Sequence, residues 1–544
     1  MRADDTENAL ARLLPLPRRA VFGHDRHPLA ALPVVEQVAA DLPDEAYRLR
    51  IDADGVVIAA SGRRGLRYGR TTLAQLTDAA GEVPEVRIDD APTLRRRGII
   101  EGFYGEPWSH EERLAALRLA GRLKMNSYVY APKDDPYHRE RWREPYPEAE
   151  LARLVDLVRE GERHGVDVVI ALHPAGSMVF SDEAEHERLA AKASGLWEAG
   201  IPDVALLFDD VPPTPANDAD RAAFGDHGAG LGAAHALAIT RFRDAVGSRL
   251  AGELLVVPMD YAGVQANDYR TAFAAGLPDG VLVWWTGRDI VVGEITRDDI
   301  DAAAAVFGDR LVLWDNFPVN DFDRGRAFLG PLLGRTSEVA GSALHGAWTN
   351  PMVEFAPGGF GIAAFADWAW NPEQYAPARS AAAALPLIAG EQARILAPLM
   401  ETLSSWPPSA PMDPALAAAA DAALGGSATA REALRSRLAA LALTVDDDAA
   451  EPARSLGPWL SAAADMADAG LLALDLLDLL DLLDPLDPFD GGEVHGEIAR
   501  VEESLARAEG HAAKVATDVV PPFVRAVLAR AVPPDAGAAP PAEG

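Results

Sequence analysis

From residue 96 onward the chain repeats one pattern: a short apolar run, a few polar residues, then a segment with helical spacing. Eight such runs fall at 97–103, 126–132, 167–174, 203–210, 253–260, 280–287, 310–316 and 342–350. Between them, stretches such as HEERLAALRLAGRL and EAELARLVDLVREGERHG place apolar residues at i, i+3, i+4 and i+7, one face of an amphipathic helix. Both stretches end at or near Gly or a basic residue, as helix C-termini do. Runs that are apolar at successive rather than alternate positions predict strands buried on both faces. That is the signature of a parallel sheet covered by helices. Eight units within 96–370 predict an α/β fold, a (β/α)8 barrel. The alternative is an open doubly wound sheet, but the glycine-rich nucleotide loop is missing after the first strand.

The flanks follow other rules. Residues 1–95 predict a small α+β domain. In it EAYRLRI and GVVIAA are joined by DADG, a hairpin signal, and SGRRGLRYGRTTLAQLTDAA reads as a turn and a helix. Two or three strands are expected, with a boundary near VPEVRIDDAPTLRR. Residues 371–530 are rich in Ala and Leu and predict a helical domain. Within it, 471–492 carries Asp at every third position. On a helix such a stripe drifts by ~60° per repeat. A packing helix stopped at Pro485 is expected, with a partner-binding helix as the alternative. The tail, 531–544, is Pro/Ala-rich and is expected to be disordered.

Charge and composition narrow the function. A net charge of -33 repels nucleic acid and anionic membranes, so neither is expected as a partner; solubility alone also explains it. The absence of Cys excludes disulfides, zinc-thiolate sites and thiol catalysis. The first twenty residues have no basic segment followed by an apolar run, and no run reaches the ~18 apolar residues of a membrane span, so a cytoplasmic location is expected. The sequence is silent on oligomeric state. Only four of the 50 basic residues are Lys: Lys124, Lys133, Lys192 and Lys514. A Lys retained against that bias marks a place where a compact ammonium serves and a guanidinium fork does not.

In a barrel of this kind function sits at the C-terminal ends of the strands. The polar residues that end the eight runs are Gly102 with Tyr104, Lys133 with Asp134 and Asp135, His173, Asp209 with Asp210, Asp260 with Tyr261, Thr286, Trp314 with Asn316, and Asn350; Asp321 follows closely. No cluster of His and carboxylates is spaced for a metal, and no cofactor is expected. Aromatic faces with amide and carboxylate groups suit a sugar ring, whose C–H faces and hydroxyls they cover. Two adjacent carboxylates repel, which tends to raise one pKa and make it a proton donor near neutrality. An acidic loop or helix cap is the bland reading of the same pair. Adjacency also constrains mechanism. A retaining pair flanks the scissile bond ~5–5.5 Å apart, usually from separate elements. Neighbours in the chain do this poorly. Attack by the sugar's own 2-acetamido oxygen removes the need for a protein nucleophile.

Seven ordered blocks carry a family resemblance: RRGIIEGFYGEPWS (96–109), NSYVYAPKDDPYHRERWREPYP (126–147), LLFDDVPP (206–213), VPMDY (257–261), WWTG (284–287), WDNFPVND (314–321) and TNPM (349–352). In these the chain resembles glycoside hydrolase family 84, the O-GlcNAcase and bacterial β-N-acetylglucosaminidase family. The preceding unit resembles the small α+β domain found before such barrels. The resemblance implies a retaining exo-β-N-acetylglucosaminidase that acts through an oxazoline, on a GlcNAc-bearing glycoprotein or glycoconjugate. It implies that Asp209 orients the acetamido group and that Asp210 is the acid, then the base. It implies that Tyr261 binds the acetamido oxygen, that Thr286 and Trp314 enclose its methyl, and that Asn316 supports the region. It further implies that Asp321 binds O4 and O6, that Asn350 binds a ring hydroxyl, and that Gly102 and Lys133 bind near O3. The bland alternatives are a salt bridge to Asp134 or Asp135 for Lys133, core packing for Trp314, a tight turn for Gly102, and a structural role for His173. Trp285 reads as barrel core.

Two departures stand out. RDIV follows WWTG where the family more often has Pro, and Met259-Asp260 precede Tyr261. The first alters the loop beside the methyl pocket, the second the aglycone side. The alternatives to an exo-glycosidase are hyaluronidase-type cleavage of a GlcNAc-containing polysaccharide and non-hydrolytic GlcNAc binding. Binding alone has no need of an acid.

Overall fold

A computed structural model of the chain describes residues 9–249, 252–442, 449–482 and 491–531. Eight parallel strands close into a barrel. They are β6 (Arg96–Glu101), β7 (Ser127–Tyr130), β8 (Asp167–Leu172), β9 (Asp203–Leu207), β10 (Leu254–Val257), β11 (Val281–Trp285), β12 (Leu311–Asp315) and β13 (Gly346–Thr349). Seven lie inside one of the eight apolar runs, and β6 starts one residue before the first of them. The interior is filled by every second residue: Ile100, Val129 and Ala131, Val169 and Ala171, Ala205 and Leu207, Leu255 and Val257, Leu282 and Trp284, Val312 and Trp314, and Trp348. The residues between them, such as Tyr128, Ile170, Leu206 and Leu313, are buried as well. That double burial is why the strands read as continuous apolar runs. Three indoles crowd one side of the core, Trp284 lying edge-on to Trp314 and Trp348 at 5.8 and 5.3 Å. Gly98 makes room for them, because a Cβ there would sit 2.3 Å from the Trp348 ring.

The described residues before the barrel hold five strands, not two or three. They are β1 (Arg19–Pro28), β2 (Val34–Val38), β3 (Tyr47–Asp52), β4 (Gly55–Ala60) and β5 (Glu82–Asp90), in the order β1-β5-β3-β4-β2. The DADG hairpin is present, with Asp52 opposite Gly55. β1 and β2 escaped the sequence because they are edge strands. β2 is exposed at every position, so it shows no alternation, and β1 breaks register between Phe22 and Arg26. An edge strand with little to bury carries no period for the sequence to reveal. β5 lies in the stretch that reads as a boundary.

The sheet and the barrel belong to one compact unit, which runs to Asp321 and resumes over Pro331–Ala384. Phe322–Gly330 and the described residues from Leu385 onward form a second unit. The regular elements among its described residues are all helices. In it the helix Gly457–Leu482 turns its acidic stripe toward Arg431 and Arg435. Asp478 bridges both at 2.9 Å, Asp475 pairs with Arg435 and Asp481 with Arg431 at 2.6 Å each. The stripe is therefore an internal ion-pair ladder. Pro485 and the tail 532–544 lie outside the described residues. No described helix is long and apolar enough to cross a membrane.

Candidate active site

The period of two that fills the barrel also aims the site. One step beyond the last inward apolar residue of a strand come Gly102, Lys133, His173, Asp209, Thr286, Asn316 and Asn350. Each continues the inward row past the core and up to the barrel mouth. The sequence motif at each strand end is thus a core residue, a spacer and a polar residue.

Lys133 Nζ lies 2.6 Å from Asp209 Oδ2 and 3.4 Å from Asp210 Oδ2. Lys133 and Asp209 are buried, and Asp210 is partly open. Burial acts to raise the Asp209 pKa, but the charge and hydrogen bond of Lys133 outweigh it and hold the carboxyl well below its ordinary value. Burial likewise acts to lower Lys133, and the charges of Asp209 and Asp210 carry it above its ordinary value. The two shifts agree: a buried ion pair. Asp209 is therefore the carboxyl of the pair that stays ionised. The other oxygen, Asp209 Oδ1, is buried without a hydrogen-bond partner. His173 Nε2 lies 3.5 Å from it.

Asp210 lies beyond the end of β9 at Leu207. By alternation its side chain would turn out of the barrel, but its φ of 55° is left-handed. That conformation costs a residue with a Cβ about 1–2 kcal/mol. The turn brings the carboxylate beneath two phenols. Tyr104 donates to Oδ2 at 2.5 Å and Tyr261 to Oδ1 at 3.2 Å. The Tyr104 ring also carries Lys133 over its face, 5.3 Å from the centroid. Tyr104 N donates to Asp321 Oδ2 at 2.8 Å, which ties Asp321 to the same cluster.

The opposite wall is an amide relay. Asn316 Oδ1 accepts from Trp314 Nε1 and from Asn350 Nδ2, both at 2.9 Å. Asn350 Oδ1 accepts from Gly102 N at 3.3 Å. A Cβ on Gly102 would lie 2.4 Å from the Trp314 ring, so the glycine is dictated by close approach and not by a turn. Thr286 donates to Asp289 O at 3.0 Å, and Asn316 Nδ2 to Ile290 O at 2.8 Å. The departing RDIV loop is thereby pinned to two of the expected pocket residues. The other departure, Asp260, faces away and pairs with Arg270 at 2.8 Å. Between Trp314 and Asn316, Asp315 forms a two-pronged pair with Arg335 at 2.7 and 2.8 Å.

All ten expected site residues therefore fall at the C-terminal mouth of one barrel. Lys133 pairs with neither Asp134 nor Asp135. Asp135 instead accepts from the hydroxyls of Tyr130 and Tyr146. Trp285 is fully buried core, its indole donating to Gly263 O at 2.8 Å. Two contacts were not assigned from sequence. Tyr104 touches a carboxylate 106 residues away, and His173 touches the Asp209 backbone 36 residues away. Their strand-end positions were the only signal.

Comparison with known proteins places the chain among relatives. Residues 97–401 match the family described as beta-N-acetylglucosaminidase, and residues 3–91 match domain 2 of glycosyl hydrolase family 20. Protein O-GlcNAcase of Rattus norvegicus and that of Mus musculus are each 33% identical over 281 residues, 50% of this chain and 29% of theirs. The match thus spans less than a third of those curated relatives. Among solved structures, CpGH84B is 26% identical with a TM-score of 0.84, covering 95% of this chain and 99% of its own. A mutant O-GlcNAc hydrolase of Thermobaculum terrenum is 27% identical with a TM-score of 0.71, covering 80% and 94%. CpGH84D, 20% identical with a TM-score of 0.80, shares the fold. The family match takes in more than half of the chain and every residue of the strand-end cluster, and the chain belongs to the β-N-acetylglucosaminidase family, glycoside hydrolase family 84.

Proposed function

We propose that the protein is a retaining exo-β-N-acetylglucosaminidase that removes a terminal β-linked GlcNAc from a glycoprotein or other glycoconjugate by substrate assistance. One observation carries this reading. The adjacent carboxylates sit in opposite environments: Asp209 buried and held ionised by Lys133 with one oxygen unpartnered, Asp210 open to the mouth under two phenols. A buried carboxylate oxygen left without a donor costs free energy until one arrives. The N–H of a 2-acetamido group supplies it.

The reaction follows from those roles. Asp209 accepts the acetamido N–H and turns the amide so that its oxygen faces the anomeric carbon. That oxygen bonds to the carbon as the glycosidic C–O bond breaks, and Asp210 passes its proton to the leaving oxygen. The ring that results, with its N–H retained, is an oxazolinium ion, whose positive charge the ionised Asp209 offsets at short range. Asp210, now a base, takes a proton from water as the water adds to the anomeric carbon and reopens the ring. Tyr261 steadies the acetamido oxygen. Thr286, Trp314 and Asn316 shape the pocket around the methyl. Asp321, Asn350, Gly102 N and Lys133 bind the ring hydroxyls.

Hydrolysis of an aryl β-N-acetylglucosaminide by wild type, Asp209→Ala and Asp210→Ala tests the reading. Wild type turns over and both variants lose activity. A leaving group that needs no proton restores much of Asp210→Ala but not Asp209→Ala. GlcNAc binding by a wild type that does not turn over would refute the reading.

A further inference from the structure

Asp210 is left-handed, a conformation uncommon outside Gly although Asp is among the residues that adopt it most readily, and the contacts of the Asp209–Asp210 peptide decide whether it is kept. The carbonyl of that peptide belongs to Asp209. It accepts a hydrogen bond from His173 Nε2 at 2.8 Å, and the same nitrogen lies 3.5 Å from Asp209 Oδ1. That N–H hydrogen-bonds the backbone of Asp209 and lies near its side chain without bonding to it. The ring has little freedom. His173 is buried, and its own N–H donates to His138 O at 2.9 Å. The His138 ring lies edge-on to it, 6.1 Å between centroids, and is itself fixed through Nδ1 to Ala171 O at 2.8 Å. A carbonyl acceptor requires the proton on Nε2, so the tautomer is set by the contact.

We propose that His173 is a positioning residue for both carboxylates: it pins the peptide between Asp209 and Asp210, which orients the Asp209 carboxylate and maintains the left-handed turn that delivers Asp210 to the barrel mouth. This inference rests on the hydrolase reading above. His173 has no place among the sugar contacts proposed for the site, and it acts only through its neighbour. Lys133 fixes one oxygen of Asp209 from one side, and His173 fixes the carbonyl from the other. Misplacement of reacting groups by about 1 Å is enough to cost ~100-fold in rate.

The test compares His173→Phe, which keeps a ring of similar size without the donor, with His173→Gln, whose amide N–H extends to a similar reach. On an aryl β-N-acetylglucosaminide, His173→Phe loses about 100-fold in kcat with KM little changed, since the loss is of alignment in the transition state. His173→Gln recovers most of it. Equal activity in the two variants would overturn the proposal and leave His173 as packing. Crystal structures of both variants give a readout that does not depend on turnover. In His173→Phe the Asp210 φ leaves the left-handed region and its contact to Tyr261 opens, while His173→Gln keeps both. An unchanged turn in His173→Phe would also overturn the proposal. A wild type without turnover defeats the hydrolase reading, and the crystal comparison still decides for or against His173.

Discussion

Replacing Lys133 by Met keeps most of the side-chain length and removes the ammonium 2.6 Å from Asp209 Oδ2. At an effective dielectric constant of about 20, unit charges that close attract by about 6 kcal/mol. Desolvation of the two buried ions takes part of this back, and breaking such a pair from one side costs about 3–5 kcal/mol. At 1.36 kcal/mol per pH unit, that moves the Asp209 titration upward by about two to four pH units. The sign follows from the direction of the native shift. Asp209 is depressed in the folded protein. Its stabilising ionisation is therefore complete above the unfolded value of ~3.9 and is lost as pH falls through the lower folded value. Without Lys133 the upward push of burial is opposed only by His173 and the backbone N–H of Asp209. Protonation then begins much nearer neutrality. The assay is kcat/KM against pH on an aryl β-N-acetylglucosaminide for wild type, Lys133→Met and Lys133→Arg. The acid limb of Lys133→Met moves upward, and that of Lys133→Arg moves less. A uniform fall in activity with an unmoved acid limb would refute the reasoning and reduce Lys133 to a hydroxyl contact.

Three further perturbations follow. Gly102→Ala places a Cβ 2.4 Å from the Trp314 ring; the overpacking costs about 1–3 kcal/mol in urea unfolding, and displacement of the indole and of Gly102 N lowers kcat/KM on the aryl substrate by ~10-fold or more. Arg335→Leu strands the fully buried Asp315 and costs about 3–5 kcal/mol in urea unfolding. Arg335→Lys restores only part, for want of the fork. Lys192 is pushed down to about 8 by burial, against the opposing charges of Asp135 and Glu144. Because a depressed Lys binds fewer protons folded than unfolded, its contribution to stability rises with pH from about 8 toward ~10.4. Wild-type stability therefore gains on Lys192→Met across that window in denaturant titrations, and parallel curves would exclude it.

The barrel was legible because each of its strands is buried on both faces and so leaves a dense apolar mark. The mouth was legible because alternation continues past the core, so that Lys133, Asp209, Thr286, Asn316 and Asn350 are each two residues beyond an interior side chain. The bias toward Arg also proved informative. Of the four Lys residues, Lys124, Lys133 and Lys192 are buried, and each touches a carboxylate, a backbone carbonyl or an aromatic ring. β1 and β2 were not legible, since edge strands bury too little to impose a period. Nor were the contacts within the site. That Asp210 turns left-handed, that Tyr104 reaches it, and that His173 braces the preceding carbonyl are tertiary facts, set by distant residues and marked by no local spacing.

The central claim is that the acetamido group of the substrate, and not a protein carboxylate, attacks the anomeric carbon. The most direct measurement follows an aryl β-N-acetylglucosaminide by proton NMR during hydrolysis by wild type, alongside its N-trifluoroacetyl analogue. The account predicts that the β-anomer of the free sugar is released first and that fluorination, which weakens the amide oxygen as a nucleophile, sharply slows the reaction. First release of the α-anomer, or indifference to fluorination, would contradict it.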